Sequence, residues 1–169
     1  RNIKIHKRAA SLSTDSTPII EVINNVLSEM AIQNEFFDCV VLLQPTSPYV
    51  NTKTVRLLVQ ALKNNTELMS AQTIYPISHN NHAFNQRDFN DNYNSVNWVF
   101  EKERSILYCK QLKPLHYKFG NCVVTRVRAN MIKSVFETPS YGIKLNHYLE
   151  AIDVDTLDDF LIAEAMLET

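Results

Sequence analysis

Apolar residues recur along the chain with two spacings, and these spacings predict alternating helices and strands. Residues 19–30 follow helical spacing after Pro18, which suits a first helical turn, and Asp15 or Ser16 is a candidate cap. Residues 36–44 (FFDCVVLLQ) form a nearly continuous apolar run, typical of a parallel strand covered on both faces. A helix at 52–63 and a strand at 68–75 come next. This order predicts a layered α/β domain with a mostly parallel sheet.

The second half of the chain is less regular. Residues 76–94 are rich in asparagine and lack periodicity, which predicts a long excursion, and such loops are often functional. The other predicted elements are strands at 3–6, 96–100, 105–109, 121–127 and 148–154, and helices at 129–136 and 156–167. Because ligands of open α/β sheets bind beyond the carboxyl ends of the strands, the turn at residues 44–48 lies where a binding site is expected.

Composition narrows the classes of protein to consider. A length of 169 residues predicts a single domain spanning 1–169, or a large part of one. The formal net charge of −1 gives no basic surface for nucleic acid or anionic membranes, and no apolar run approaches the roughly 20 residues that span a bilayer. Three scattered cysteines without a CxxC pair favour a reducing, cytoplasmic setting. With only Gly120 and Gly142, the chain has no glycine-rich phosphate-binding loop.

Two carboxylates at a predicted strand–helix junction are candidate metal ligands. Asp153 and Asp155 lie on one face of the strand end, where their oxygens could share Mg²⁺ with substrate phosphates. The alternative is structural: Asp155 caps the following helix and Asp153 is solvated.

Three polar side chains lie at the end of the predicted strand 36–44 and in the turn directly after it. Gln44 offers an amide that can bind a base or sugar edge, and Thr46 and Ser47 offer hydroxyls for phosphate or ribose oxygens. An ordinary turn bounded by Pro45 and Pro48 accounts for the same residues equally well. Arg8 could bind a phosphate or carboxylate, or simply be solvated.

Three segments of the chain together resemble the acylneuraminate cytidylyltransferases, the CMP-sialic acid synthetases. Residues 41–48 (VLLQPTSP) match the family's LLQPTSP motif, and residues 8–15 (RAASLSTD) resemble its RPxxLAxD segment with alanine in place of proline. Residues 151–156 (AIDVDT), followed by Ala163 and Glu164, resemble its DIDxxxD…AE ending. The three segments keep the family's order and spacing over nearly the whole chain.

The resemblance implies a three-layer, Rossmann-like fold of the nucleotide-diphospho-sugar transferase type. It implies an enzyme that joins CTP to a nonulosonic acid sugar and releases pyrophosphate with Mg²⁺. Arg8 is then expected to contact the nucleotide phosphates, Gln44, Thr46 and Ser47 to line the cytidine and sugar cleft, and Asp153 and Asp155 to hold the metal and serve catalysis. Residues 79–120 correspond to the family's inserted arm, which implies a homodimer whose arm completes the partner's sugar pocket.

Two departures from the family pattern leave alternatives open. The chain has no counterpart of the family's PARxGSK-type loop, so the fold is expected to be incomplete at its amino terminus. The RPNGxxY sugar-binding segment is replaced by residues 117–123 (YKFGNCV), in which only Lys118 could substitute for the arginine. Activation of pseudaminic acid, legionaminic acid or Kdo is therefore an alternative, and so is an inactive remnant that acts as a binding or assembly module.

Overall fold

A four-stranded mixed sheet forms the centre of the computed structural model, which describes residues 3–167. Its strands lie in the order β1, β5, β2, β6, and a separate hairpin pairs β3 with β4. The strands are β1 Cys39–Leu43, β2 Ser70–Pro76, β3 Arg87–Asn90, β4 Ser95–Trp98, β5 Tyr117–Arg126 and β6 Ser140–Lys144. The helices are α1 Ile19–Ile32, α2 Thr52–Asn64, α3 Glu101–Ile106 and α4 Leu157–Ala165.

Three strands of the central sheet share one direction, and β5 runs against them. β5 pairs antiparallel with β1 on one side and with β2 on the other, whereas β6 pairs parallel with β2. The carboxyl ends of β1, β2 and β6 therefore lie at one edge of the sheet, and β5 begins at that edge. The α/β class and the shared direction of most strands agree with the prediction, and the antiparallel strand is a feature that the sequence pattern did not reveal.

Two helices cover opposite faces of the sheet and give the fold its three layers. Successive residues of β5 alternate between the two cores because side chains on a strand point to opposite faces. Val123 packs with Ile23 and Leu27 of α1, while Val124 packs with Leu58 of α2. The β1 part of the apolar run 36–44 is covered in the same way, because Val40 packs against the core on the α1 side and Val41 against the core on the α2 side.

A β-bulge near the middle of the sheet changes the pairing of β2 with β5. The register shifts between Gln72 and Ile74, and Thr73 Oγ1 bonds to both the N–H and the C=O of Cys122, at 3.1 and 3.2 Å. A Cβ on Gly120 would lie 2.8 Å from Thr73 Oγ1, so glycine is required for this close approach. The next residue, Asn121, adopts a positive φ of 72°. Bulges often re-aim a side chain towards a site.

The excursion between β2 and β5 forms a subsidiary structure. It contains the β3–β4 hairpin, the short helix α3 and three 3₁₀ turns. Its inner part is aromatic: His82 is buried and stacks on His116 with ring centroids 4.4 Å apart. His82 Nδ1 accepts from the Phe84 N–H at 3.2 Å, and Nε2 lies 3.1 Å from Pro114 O, so both ring nitrogens are used within the excursion.

Several predicted elements are wrong in detail. Residues 3–6 form no strand, and α1 is capped at Pro18 instead of Asp15 or Ser16. Residues 105–109 end helix α3 and enter a turn instead of forming a strand. Residues 129–136 are not helical, since Ala129 and Asn130 both have positive φ, and residues 148–151 form a 3₁₀ turn where a strand was predicted. Strand β6 was not predicted at all. Within residues 3–167, no helix is long and apolar enough to cross a bilayer.

Candidate active site at the carboxyl edge of the sheet

The turn that follows β1 and the segment that precedes α4 lie side by side at the carboxyl edge of the sheet. The Val154 N–H donates to Thr46 O at 2.9 Å, which fixes residues 153–155 against residues 44–48. Farther along, the Tyr49 hydroxyl donates to Ala163 O at 2.7 Å and holds α4 against the same turn. The structure therefore brings together two segments that are separated by more than a hundred residues in the sequence and that each supplied candidate site residues.

Two side chains of β5 hold the residues immediately before Asp153. Lys118 Nζ donates to Ala151 O at 2.9 Å, and Asn121 Nδ2 donates to Ile152 O at 2.7 Å. Asn121 is buried, and its left-handed backbone aims the amide at this carbonyl. Together with the Thr46–Val154 bond, these contacts fix the backbone on both sides of Asp153.

Two buried polar atoms of the site have no hydrogen-bond partner within residues 3–167. One is Asp153 Oδ1 and the other is Ser47 Oγ. Buried polar atoms are nearly always satisfied in folded proteins, and an unsatisfied one costs about 1–3 kcal/mol. A carboxylate oxygen and a hydroxyl left without protein partners are suited to a cation and a polar ligand.

The carboxylate next along the chain is placed differently. Asp155 is exposed, and its backbone N–H donates to Asp159 Oδ2 at 3.3 Å. The cap of α4 is Thr156, whose hydroxyl accepts from the Asp159 N–H while the Asp159 carboxylate accepts from the Thr156 N–H. The structural alternative, in which Asp155 caps the helix, is therefore wrong. The Asp155 carboxylate is not used by the cap.

The Asp159 carboxylate, at the start of α4, has a lowered pKa. The side-chain hydrogen bond from Thr156 lowers its pKa, and the backbone N–H groups of Thr156 and Asp155 add to this effect. The Lys118 ammonium also lowers it, which places Lys118 close enough to sense the start of α4. Asp159 orients the segment that carries the predicted metal ligands.

Two clefts open on either side of this segment. One, of about 500 Å³, lies between the turn after β1 and α4 and is lined by Thr46, Tyr49, Val154 and Phe160, among others. The other, of about 610 Å³, lies beyond the end of β2 and includes Lys118 together with Tyr75 and Tyr148. The Lys118 ammonium lies 5.6 Å from the centre of the Tyr148 ring. Lys118 thus lines a cleft of substrate size and also braces the backbone before Asp153.

Arg8 is the predicted site residue that the structure does not connect to the others. It is exposed, in an irregular segment that is attached to α1 through the contacts of His6 with Asn25 and Glu29, and to the turn after α1 through the ion pair of Lys4 with Glu35. No contact joins Arg8 to the turn after β1 in the part of the chain that the structure describes. Its role at the nucleotide phosphates stays a prediction.

Asp153 and Asp155 are the two carboxylates that were predicted to bind a metal ion. No group of three or more His, Cys, Asp or Glu side chains that could hold a metal ion occurs in residues 3–167. A cation held by Asp153 and Asp155 would therefore complete its shell with substrate or water oxygens, as Mg²⁺ commonly does.

Sequence reasoning missed Asn121, Tyr49 and Asp159. For two of these three residues, the sequence contains a pattern that indicates the local structure. A Thr followed three residues later by an acidic residue is the capping-box pattern that Thr156 and Asp159 form. A glycine inside a strand, as in Gly120–Asn121, suggests a bulge. Nothing in the sequence indicates the contact of Tyr49 with Ala163.

Comparison with known proteins gives one curated relative and one structural neighbour of note. The chain is 29% identical over 163 residues to the CMP-N,N'-diacetyllegionaminic acid synthase of Legionella pneumophila, covering 95% of this chain and 67% of that protein. Its fold is similar to that of 4-diphosphocytidyl-2C-methyl-D-erythritol synthase from Anaerococcus prevotii, with a TM-score of 0.51, 12% identity, and coverage of 93% of this chain and 68% of the other. No protein-family model matches the sequence.

The chain is a three-layer α/β domain with a polar cleft at the carboxyl edge of its sheet, and its fold is of the same kind as that of the Anaerococcus synthase. The sequence similarity to the Legionella pneumophila synthase agrees with the resemblance to a cytidylyltransferase family that the LLQPTSP and DIDxxxD motifs carry.

Proposed function

We propose that the protein transfers a cytidylyl group from CTP to a nonulosonic acid sugar. The anomeric hydroxyl oxygen of the sugar forms a bond to the α-phosphorus, the bond from that phosphorus to the bridging oxygen breaks, and pyrophosphate leaves with that oxygen. The hydroxyl proton passes to solvent or a nearby base. The relationship to a synthase of CMP-N,N'-diacetyllegionaminic acid, across 95% of the chain, is the observation that carries this proposal.

The arrangement at the carboxyl edge supports the assignment of roles. Gln44, Thr46 and Ser47 lie on the turn after β1 and are proposed to contact the nucleotide and sugar. Of these, Ser47 is the strongest candidate, because its buried hydroxyl has no partner in residues 3–167. Lys118, at the wall of the cleft beyond β2, is proposed to meet the sugar. Arg8 is proposed to contact the nucleotide phosphates.

Asp153 and Asp155 are the residues proposed to hold Mg²⁺. The buried, unsatisfied Oδ1 of Asp153 and the carboxylate of Asp155, which the helix cap does not use, fit a hard cation that prefers oxygen ligands. A bound Mg²⁺ would supply stabilisation of the negative charge on the transferring phosphate oxygens. The chain's own contribution is to fix the Asp153 backbone through Lys118, Asn121 and Thr46.

The acceptor is proposed to be a sialic-acid-type sugar, with two candidates to compare. The sequence resemblance favours N-acetylneuraminate. The name of the Legionella relative favours N,N'-diacetyllegionaminate. The cytoplasmic location and the homodimer predicted from the sequence remain part of the proposal.

The test is release of pyrophosphate from CTP and Mg²⁺ with each candidate sugar, including pseudaminic acid and Kdo. Asp153→Asn and Asp155→Asn are expected to lower kcat by about 100-fold or more, because metal stabilisation of phosphoryl charge is worth several kcal/mol. Asp158→Asn is the matched control: it removes an exposed carboxylate from the first turn of α4 and should leave turnover unchanged.

Binding of CTP measured by calorimetry separates the proposed enzyme from an inactive binding module. A protein that binds Mg·CTP and turns over none of the sugars would contradict the proposed reaction and favour the binding-module alternative. Equal loss of activity in the Asp158→Asn control would contradict the metal assignment, since general charge near α4 would then explain the effect.

A further inference from the structure

A cluster of positive side chains lies in the excursion between β2 and β5, away from the residues assigned above. Arg87 of β3 and Arg104 of α3 both approach the ring of Trp98, with guanidinium carbons 4.0 and 5.0 Å from its centre. A cavity of about 290 Å³ is lined by these three residues and by His79, Asn80 and Asn85. Lys113 adds a further positive charge: it lowers the pKa of His79, and Arg104 in turn lowers the pKa of Lys113.

The two arginines are held in place before any ligand arrives. Each donates one nitrogen to a backbone carbonyl, Arg87 to Asn85 O at 3.1 Å and Arg104 to Tyr108 O. Contact with the aromatic ring restricts them further. A guanidinium has five N–H donors, so most donors of each arginine are not used by these bonds. Planar, fixed guanidinium groups are the preferred protein partners of carboxylate and phosphate.

The positive charges in this cluster are not compensated by the protein. Lys113 Nζ and Arg104 Nε are buried atoms without a hydrogen-bond partner in residues 3–167. The ion pairs of those residues involve Lys4 and His6 and none of the cations in the cluster. Burial lowers the pKa of both His79 and Lys113, and the neighbouring cations lower it further. Buried charges are normally paired, because an unpaired one is costly.

We propose that the cavity around Trp98 is a binding site for an oxyanion, a carboxylate or a phosphate group, held by Arg87, Arg104 and Lys113. An oxyanion would supply acceptors to the two unpartnered nitrogen atoms and neutralise the cluster. All residues of this site belong to the excursion between β2 and β5, and none of them is among the residues assigned above to the nucleotide, the sugar or the metal.

Trp98 gives this site its own signal, since it is the only tryptophan in the chain. Titration with inorganic phosphate at constant ionic strength is expected to change its fluorescence saturably, and sodium chloride at matched ionic strength is not. The same titration with acetate tests whether the site also binds a carboxylate. A saturable fluorescence change with both anions would identify a general oxyanion site, and a change with phosphate alone would restrict the site to phosphate groups.

Two variants and one control test the assignment of residues. Arg104→Gln and Lys113→Gln are each expected to weaken phosphate binding at least about tenfold, because each removes a positive charge and a charge-assisted hydrogen bond to the oxyanion. Lys102→Gln removes an exposed charge from the same helix and should bind phosphate as the unmodified protein does.

Thermal melting of the unmodified protein and of Lys113→Gln provides a second measurement, which does not require Arg104→Gln to fold. Phosphate should raise the Tm of the unmodified protein, because a ligand that binds only the folded state stabilises it. Lys113→Gln should melt higher than the unmodified protein without phosphate and should gain little from adding it. A fluorescence change that sodium chloride reproduces, or phosphate affinity that neither variant alters, would overturn the proposal.

Discussion

The hydrogen bond from Asn121 to Ile152 is the contact whose loss should be most informative, because it joins the bulge of β5 to the backbone before Asp153. Both ends are buried: Asn121 is 5% exposed and Ile152 2%. We expect Asn121→Gly to destabilise the protein, because the substitution removes the amide and leaves the Ile152 carbonyl without its partner. Glycine tolerates the positive φ of 72° at this position, so the backbone need not move.

The expected magnitude follows from the cost of an unsatisfied buried acceptor, about 1–3 kcal/mol. Glycine also makes the unfolded chain more flexible, which costs roughly 0.4–1 kcal/mol wherever it is introduced. Asn34 provides the matched control, since it also has a positive φ, of 58°, but is exposed and lies after α1. The difference between Asn121→Gly and Asn34→Gly cancels the unfolded-state effect and isolates the buried hydrogen bond.

Alanine substitutions at positions 121 and 34 measure how much the positive φ costs a residue other than glycine, separately from the hydrogen bond. A non-glycine residue in the left-handed region costs roughly 1–2 kcal/mol, and asparagine avoids part of this cost. We therefore expect Asn121→Ala to be less stable than Asn121→Gly by a similar amount, with the same step between Asn34→Gly and Asn34→Ala. The free energy of unfolding should fall more at position 121 than at position 34, both for the two glycine variants and for the two alanine variants.

Urea unfolding followed by circular dichroism measures these differences, provided that the m-value stays constant among the variants. For a chain of this size each 1 kcal/mol corresponds to about 2–4 °C in Tm, so thermal melting is an independent check. Equal destabilisation by Asn121→Gly and Asn34→Gly would refute the reasoning, because the bond to Ile152 would then contribute nothing measurable.

Three further predictions concern α4 and the sheet. Thr156→Ala should destabilise the protein by about 1 kcal/mol in urea unfolding, because it removes the side-chain cap of α4. Because the pKa of Asp159 is lowered in the folded protein, its carboxylate stabilises the fold at pH values above the ordinary aspartate pKa of about 3.9, and this stabilisation is lost as the pH falls through the lower folded value. In Asp159→Asn, the free energy of unfolding should therefore fall less steeply as the pH is lowered through this acidic range. Burial raises the pKa of Cys122 to about 11, so this thiol should resist iodoacetamide in the folded protein and react only after unfolding, as peptide mapping would detect.

The elements that could be predicted from the sequence are those with a long, regular apolar pattern. Strand β1, strand β2 and helix α2 were located to within a few residues, because each presents a continuous apolar run or a clear helical period. Strand β6, Ser140–Lys144, contains a glycine and few apolar residues, and it forms because β2 offers a free edge for parallel pairing. That information lies in the tertiary structure and not in the local pattern.

The errors in the second half of the chain have local physical causes. Residues 129–136 contain apolar residues at helical spacing, and Ile132 and Val135 are indeed buried against α1. The positive φ of Ala129 and Asn130 turns the chain before a helix can begin. Residues 105–109 were too short a run to distinguish a strand from a helix end, and the charged residues before them favour the helix that forms.

The site was predictable as two separate segments, whereas the antiparallel direction of the strand that joins them was not. In an all-parallel sheet, only the ends of strands reach the carboxyl edge, and each contributes a residue or two as the chain turns away. Because β5 is antiparallel, its first residues lie at this edge, and Lys118 and Asn121 can hold the backbone beside Asp153. The same strand begins directly after the excursion that carries the Trp98 cluster. The antiparallel strand therefore joins the excursion, through the chain itself, to the two residues that hold the Asp153 backbone.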